Sequence, residues 1–397
     1  MKDHLLFIAP TYPARSGHGG AMRARVFATV FAEIYDVSLL VLNLWARESR
    51  LDPSLRTTFF SVQHFTTAEL EKYRMTRSVV NVVDRPVDHI HIYRLQMVHF
   101  IRNYLYVRPD QRPLLTLDMD DFESRMYSRF ANVYEQRGDV PRAKMLADRA
   151  SRFSSLERSS LQSFDQVYVC SSSDQLAVSD AYCCGNIFVV PNAVDLPSHE
   201  ITESVTSIAQ ILFVGTLDYF PNEDGIRWFC TEVLPIIRTK SERSVSVNIV
   251  GSRPSDAVRN LQQIDMVKVA ADVPDLASWY STATMCIAPL RAGGGTRLKI
   301  LEAMSHKKAV IATSLGAEGL DLLNGVHISI ADSSVDFAEL CLMLLFNDEL
   351  RRSIALSGHE WVKNHHSMAR TQETNRNCIE TARSWPHACL SSAQISI

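Results

Sequence analysis

The stretch Gly293-Gly294-Gly295-Thr296-Arg297-Leu298-Lys299, with Glu302 close behind, gathers the residue types that bind a charged, hydroxylated ligand. Glycines let a backbone approach a ligand closely. A helix opening just after them offers unpaired N–H groups that attract anions. Thr296 is the expected N-cap of that helix, which should begin at Arg297. Arg297 and Lys299 then stand in the first turn, where cations are unfavourable against the helix dipole. A bound diphosphate would reverse that penalty, and Glu302, one to two turns on, offers a carboxylate to hydroxyl groups. A plainer reading needs no ligand. Lys299 and Glu302 are spaced i, i+3 and can pair on a helix surface, and the glycines can form a flexible loop. The segment has neither the P-loop nor the dinucleotide-fingerprint spacing.

A second cluster, Asp118, Asp120 and Asp121, follows the apolar run Leu114–Met119. Carboxylates in a D-x-D pattern can hold Mg²⁺ or Mn²⁺ on a diphosphate. They can also contact an acceptor, or cap a helix over Phe122–Phe130. Histidines are scattered. His18 lies in a glycine-bearing loop and could meet an acceptor. His91 alternates with Ile90 and Ile92 and reads as a core or cleft residue. No Ser-His-Asp or H-E-x-x-H arrangement occurs.

Both clusters sit where short apolar runs end, so parallel strands are expected to position them. Runs at His4–Pro10, Val37–Asn43, His89–Leu95, Leu114–Met119, Gln166–Ser171 and Asn186–Asn192 alternate with helical stretches. A polar segment, 195–207, then reads as a linker. The rhythm restarts with strands at Gln210–Thr216, Ser246–Gly251, Met266–Val273, Thr284–Leu290 and Lys308–Ser314, and an amphipathic helix at Glu223–Arg238. This predicts two doubly wound α/β domains, 1–194 and 208–365, with ligands collecting at the carboxyl ends of the strands. The final helical stretch, within 366–397, is expected to cross back and complete the first domain.

Bulk composition narrows the partners. The 397 residues suffice for two cores, and a net charge of −3 recruits neither nucleic acid nor an anionic membrane globally. No run approaches the ~18 apolar residues of a spanning helix, no secretory signal is visible, and the eight cysteines show no zinc spacing, so reduced thiols in a cytoplasmic protein are expected. From Arg125 to Arg158 eight basic residues face four acidic ones, interleaved with Met126, Tyr127, Phe130, Met145, Leu146 and Phe153. This segment reads either as a peripheral membrane or acceptor-lipid contact on the first domain, or as solvated helix faces.

The run "PLRAGGGTRLKILEAMSHKKAVIATSLGAEGL" resembles the donor-site motif of the retaining GT-B glycosyltransferases of family 4. "FVGTLDYFPNEDGIRWFCTEVLPIIR", "VVPNAVD" and "APTYPARSGHGGAMR" are similar to the start of that family's C-terminal domain, its interdomain segment and its N-terminal glycine loop. The resemblance implies two Rossmann-like domains facing a cleft. It implies that Glu302 binds ribose hydroxyls, that Gly293, Gly294, Gly295 and Thr296 wrap the sugar and phosphates, that Gly19 and Gly20 face the diphosphate, and that Val273 and Pro274 lie beside the base. Asp120 would stand where many members carry a histidine near the donor sugar, with Asp118, Asp121, His18 and His91 on the acceptor side. The family often has E-x7-E, but the first of those positions is Gly294. It often places Arg and Lys after the first strand of the C-terminal domain, where Thr216 and Asn222 stand. Arg297 and Lys299 would replace those cations.

These readings converge on a metal-independent, retaining transferase. It would move a sugar from a nucleotide-sugar (UDP-, GDP- or another) to a hydroxyl acceptor on a glycan, lipid or small molecule, without a cofactor. A nucleotide-sugar epimerase of the same fold, using the aspartate cluster and a histidine as acid and base, is one rival. A nucleotide-binding subunit that has lost catalysis is the other.

Overall fold

The computed structural model describes residues 2–15, 18–43, 51–66, 69, 83–197, 208–273, 275–295 and 297–384. The chain divides into two compact units. Unit 1 comprises Met1–Ala131, Val140–Asn192 and the C-terminal region from Ala369; unit 2 comprises Asn132–Asp139 and Ala193–Met368.

Seven described strands of unit 1 form a sheet in the order β3-β2-β1-β4-β5-β6-β7. They are β1 His4–Ala9, β2 Asp36–Leu42, β3 Ser61–Phe65, β4 His89–Tyr93, β5 Leu114–Asp120, β6 Gln166–Val169 and β7 Ile187–Val189, all paired in parallel. β1 is buried along its whole length, as a central parallel strand covered on both faces must be. β3 was not legible in the sequence: Ser61-Val62-Gln63-His64-Phe65 is an edge strand with alternate residues exposed, and it lacks the apolar run of its neighbours. Helix α1, Gly19–Ile34, buries Val26, Phe27, Val30 and Phe31 beside the sheet. Helices α2 (Glu123–Gln136) and α3 (Val140–Ser160) follow β5. The C-terminal helix, Met368–Ser384, buries Ile379 in the α1 core cluster and pairs Arg383 with Asp3 at 2.8 Å.

Unit 2 repeats the pattern with six described parallel strands in the order β10-β9-β8-β11-β12-β13. These are β8 Ala209–Thr216, β9 Val245–Ser252, β10 Val267–Ala271, β11 Met285–Ala288, β12 Val310–Ala312 and β13 Ser329–Ile330. The helix expected at Glu223–Arg238 is instead α4 (Phe220–Trp228), a π-helical turn (Phe229–Val233) and α5 (Leu234–Lys240). Pro235 accounts for the wide turn, since it has no N–H to return to the preceding turn. After β11 the chain passes through the glycine loop into α6, Leu298–Ser305. β13, two residues long, was also missed.

Candidate functional site

In unit 2 the glycine loop lies at the carboxyl end of β11, as expected for a ligand site in a parallel sheet. Gly293 and Gly295 have φ of 129° and 68°, a region side chains rarely adopt. A Cβ on Gly293 would meet the Arg297 guanidinium at 2.8 Å. The helix starts one residue later than expected, with Arg297 itself at the N-cap position and no side-chain cap. Thr296 and Pro274 lie outside the described residues.

Arg297 folds back over its own loop and donates through Nη1 to the Gly294 carbonyl. It is only 7 % exposed, yet its Nε and Nη2 have no partner. A buried guanidinium with open N–H groups is costly unless something accepts from them.

Lys299 and Glu302 do not pair with each other as the helix-surface reading required. Lys299 Nζ donates to Asn222 Oδ1 at 2.6 Å and lies 4.0 Å from the Phe213 ring centroid. Burial, and after it the charge of Arg297, pushes the ammonium well below its ordinary pKa, while Glu302 pulls the other way. Glu302 is raised to about 7, mainly by burial; Lys299 and then the Tyr280 hydroxyl hold it down. That hydroxyl makes no hydrogen bond of ordinary geometry, and the Tyr280 ring stacks on His306 with centroids 4.3 Å apart. Phe213, Gly215 and Tyr280 carry no site role in the sequence reading, and Asn222 enters it only as a residue standing where the family often has a cation. Val273 is half-buried and, like Leu276 and Trp279, packs against the buried cluster that contains Tyr280 and Ile300.

In unit 1 the structure joins the N-terminal glycine turn to the aspartate cluster. His18 caps α1, accepting from Ala21 N at 3.3 Å, with its other ring nitrogen 3.2 Å from Thr11 Oγ1. Gly20 packs against Tyr93, since a Cβ there would stand 2.8 Å from the phenol oxygen. Tyr93 in turn donates to Asp120 Oδ2 at 2.7 Å. Arg94 reaches Asp120 at 2.5 Å and Asp121 at 2.8 Å. The backbone is strained here, for Arg94 and Asp120 have φ of 76° and 62°.

Asp118 is fully buried and held by both Nε and Nη2 of Arg23, each at 2.7 Å. Burial, largely offset by Arg23, lifts its carboxyl to about 6, so it is ionised at neutral pH. Asp120 is held below the usual range: burial acts upward, but Arg94, Arg23 and the Tyr93 hydroxyl outweigh it. The Cys170 thiol also donates to Asp120, at 3.0 Å to its carbonyl.

Two expectations change. Asp118 and His91 expose nothing to an acceptor. His91 packs between Phe27 and Phe31, bonds Thr116 Oγ1 at 2.8 Å, and is kept neutral by burial. The helix-capping reading of Asp120 and Asp121 also gives way. α2 begins at Glu123, and the Ser124 N–H goes to Glu157 of α3 at 3.1 Å. The carboxylates that D-x-D offered to a metal are instead engaged by Arg23 and Arg94. Arg23 had a signal in the sequence: it stands on the same face of α1 as Val26, Phe27 and Val30, a core position that requires a buried acid.

No described helix is long and apolar enough to cross a membrane, and no disulfide joins the described cysteines. Helix α3 exposes Arg142, Lys144, Met145, Arg149 and Arg152.

Residues 209–347 match the family of glycosyl transferases group 1. A 44.6 kDa protein from the cps region of Klebsiella pneumoniae is 26 % identical over 162 residues, 38 % of this chain and 41 % of that protein. Among solved structures, sucrose-phosphate synthase from Thermosynechococcus elongatus superposes with a TM-score of 0.71 at 15 % identity, covering 96 % of this chain and 100 % of that one. HepE from Anabaena, solved with UDP and glucose, gives 0.67 at 14 % identity over 96 % and 99 %. WaaG, a glycosyltransferase involved in lipopolysaccharide biosynthesis, gives 0.63 at 13 % over 94 % and 99 %. The two parallel-sheet units thus have the GT-B fold.

Proposed function

We propose that this chain, whose residues 209–347 are a glycosyl transferases group 1 domain on a GT-B fold, moves a sugar from a nucleotide-sugar to a hydroxyl acceptor with retention of configuration. One observation carries the reading. A buried Arg297 with open N–H groups lies over a glycine loop, on the same short segment as Lys299 and Glu302. These groups suit the parts of a nucleoside diphosphate: cations for the phosphates and a carboxylate for ribose hydroxyls.

The chemistry asked of them is electrostatic. As the glycosidic bond breaks, negative charge grows on the leaving diphosphate. Fixed cations and backbone N–H groups stabilise that charge more in the transition state than in the ground state. No protein nucleophile is required, and Arg297 and Lys299 supply the positive charge for which other sites recruit a metal. The part of WaaG in lipopolysaccharide biosynthesis favours a saccharide or saccharide-lipid acceptor, which the chain would meet on the cytoplasmic side, at the periphery of a membrane. The epimerase reading is weakened because its acid and base would come from unit 1. There the aspartates are ion-paired, and His89 and His91 are buried and neutral.

The test is a thermal-shift panel of UDP, GDP and their hexose conjugates. A tight ligand raises Tm by mass action, with about 2.7 kcal/mol of added stability at a hundred times Kd. The bound nucleotide-sugar should then be consumed only when acceptor is added. If no nucleoside diphosphate binds, the reading fails; if donor is consumed without acceptor, the epimerase reading replaces it.

A further inference from the structure

Lys299 is placed by a partner that does not neutralise it. Asn222, in the first turn of α4, is 6 % exposed, and its Nδ2 donates to the Thr216 carbonyl at 2.8 Å. That bond fixes the amide so that Oδ1 faces the Lys299 ammonium, 2.6 Å away. Gly215 makes room for both groups, since a Cβ there would stand 2.8 Å from Asn222 Nδ2 and 3.1 Å from Lys299 Nζ. Phe213 closes one side with its ring face. Lys299 thus has one neutral acceptor and one aromatic face, and makes no ion pair among the described residues. The neighbouring unsatisfied donors belong to Arg297. Elsewhere in this chain a buried cation is met by a carboxylate that cancels its charge, as Asp118 does for Arg23; Asn222 does not.

We infer that Gly215, Asn222 and Lys299 form a built oxyanion cradle, in which Asn222 is a positioning residue that aims the ammonium while leaving its charge available to a diphosphate. The inference rests on the donor-site reading above and deepens it. An amide oxygen accepts a hydrogen bond without contributing charge. A carboxylate of the same shape could also accept from the lysine, but it has no donor for the Thr216 carbonyl and would repel a phosphate. The cradle is also proton-linked. In the free protein, burial and Arg297 lower the lysine's affinity for its proton, with Glu302 acting in the opposite direction. An arriving diphosphate restores that affinity, so binding draws a proton from solution.

The discriminating substitution is Asn222→Asp, which preserves the shape. Binding of inorganic pyrophosphate and of UDP and GDP is measured by calorimetry at pH 8.5, above the Glu302 transition near 7, in two buffers of different ionisation enthalpy. The wild type should bind with net proton uptake. Asn222→Asp loses the donation to the Thr216 carbonyl and should lower Tm modestly; it should weaken pyrophosphate and nucleotide binding about ten- to a hundredfold, as expected when a like charge enters such a site, and lose the buffer dependence. Lys299→Met, which also keeps the length, should lose affinity to a similar extent, and it serves as the second variant should Asn222→Asp fold poorly. Equal affinity and equal proton uptake in wild type and Asn222→Asp overturn the inference while leaving the donor-site reading intact. Pyrophosphate binding without nucleotide binding keeps the cradle and defeats the donor-site reading. Binding of neither probe to the wild type defeats both.

Discussion

Removing the Glu302 carboxylate should make the protein more stable and less able to bind nucleotide. Glu302→Gln keeps the shape and leaves α6 a good helix former. Burial raises this carboxyl from its ordinary 4.5 to about 7, against the pull of Lys299 and Tyr280. An acid whose folded-state pKa is raised stabilises the fold fully below its unfolded value. That contribution is lost as pH rises through the folded value. The window is therefore about pH 4.5 to 7, and above it the free protein carries the whole cost of the buried charge. The rise corresponds to at most about 3 kcal/mol, and the side chain's partial solvent access reduces it to about 1–2 kcal/mol. For a unit of this size that is a few degrees in Tm. Glu302→Gln should thus melt with the wild type at pH 4.5 but several degrees above it at pH 8. Binding should move the other way. Two charge-assisted hydrogen bonds from ribose hydroxyls, about 1.5–3 kcal/mol each, become one neutral bond of about 1 kcal/mol. The net loss of at least about 2 kcal/mol is roughly thirtyfold in Kd. Scanning calorimetry at the two pH values, with and without the nucleotide selected by the panel, measures both. Equal Tm at pH 8 together with unchanged affinity would refute the reasoning, since the carboxylate would then be neither a buried cost nor a ligand contact.

Arg297→Lys should lower kcat about a hundred- to a thousandfold with little change in donor KM, because a lysine cannot reproduce the planar two-point grip on oxygens whose charge grows in the transition state; a pure KM effect in steady-state kinetics would reduce Arg297 to a docking point. Asp118→Asn should destabilise the protein by about 3–5 kcal/mol through the stranded Arg23, read by denaturant melts, and Arg23→Met with Asp118→Leu should recover most of it; a single mutant as stable as the wild type would show that the pair carries no weight. Turnover should persist in excess chelator, and its complete loss, restored by Mn²⁺, would move catalysis to a metal.

The fold was readable because parallel strands announce themselves as unbroken apolar runs between helices, and eleven such runs gave units of the right kind. What failed was what apolar runs do not encode: the half-exposed edge strand Ser61–Phe65, the two-residue β13, and the π-helical turn ahead of Pro235. The site divides the same way. The glycine loop, Arg297, Lys299 and Glu302 are adjacent in the chain, so their types and spacing show in one line of sequence. Their partners are far from them in sequence. Lys299 and Asn222 are separated by 77 positions, and Arg23 and Asp118 by 95.

Sequence spacing therefore favoured the wrong partner for Lys299, since a glutamate three residues on is the nearest acid any helix can offer. The physical reason it lost is burial. A surface pair three residues apart is worth a few tenths of a kcal/mol, whereas an ammonium carried over the Phe213 ring must find an acceptor inside the fold or lose its proton. Asn222 is that acceptor because Gly215 leaves room for it, and because an uncharged amide allows the site to remain cationic. The same argument explains Arg23. Set among Val26, Phe27 and Val30 on the buried face of α1, a guanidinium can be retained only where a carboxylate such as Asp118 is buried opposite it. A cation at a core-facing position is therefore evidence of an unseen acceptor, and whether that acceptor is charged separates the two sites. Asp118 cancels the charge of Arg23 and makes it structural; Asn222 leaves the charge of Lys299 for a ligand.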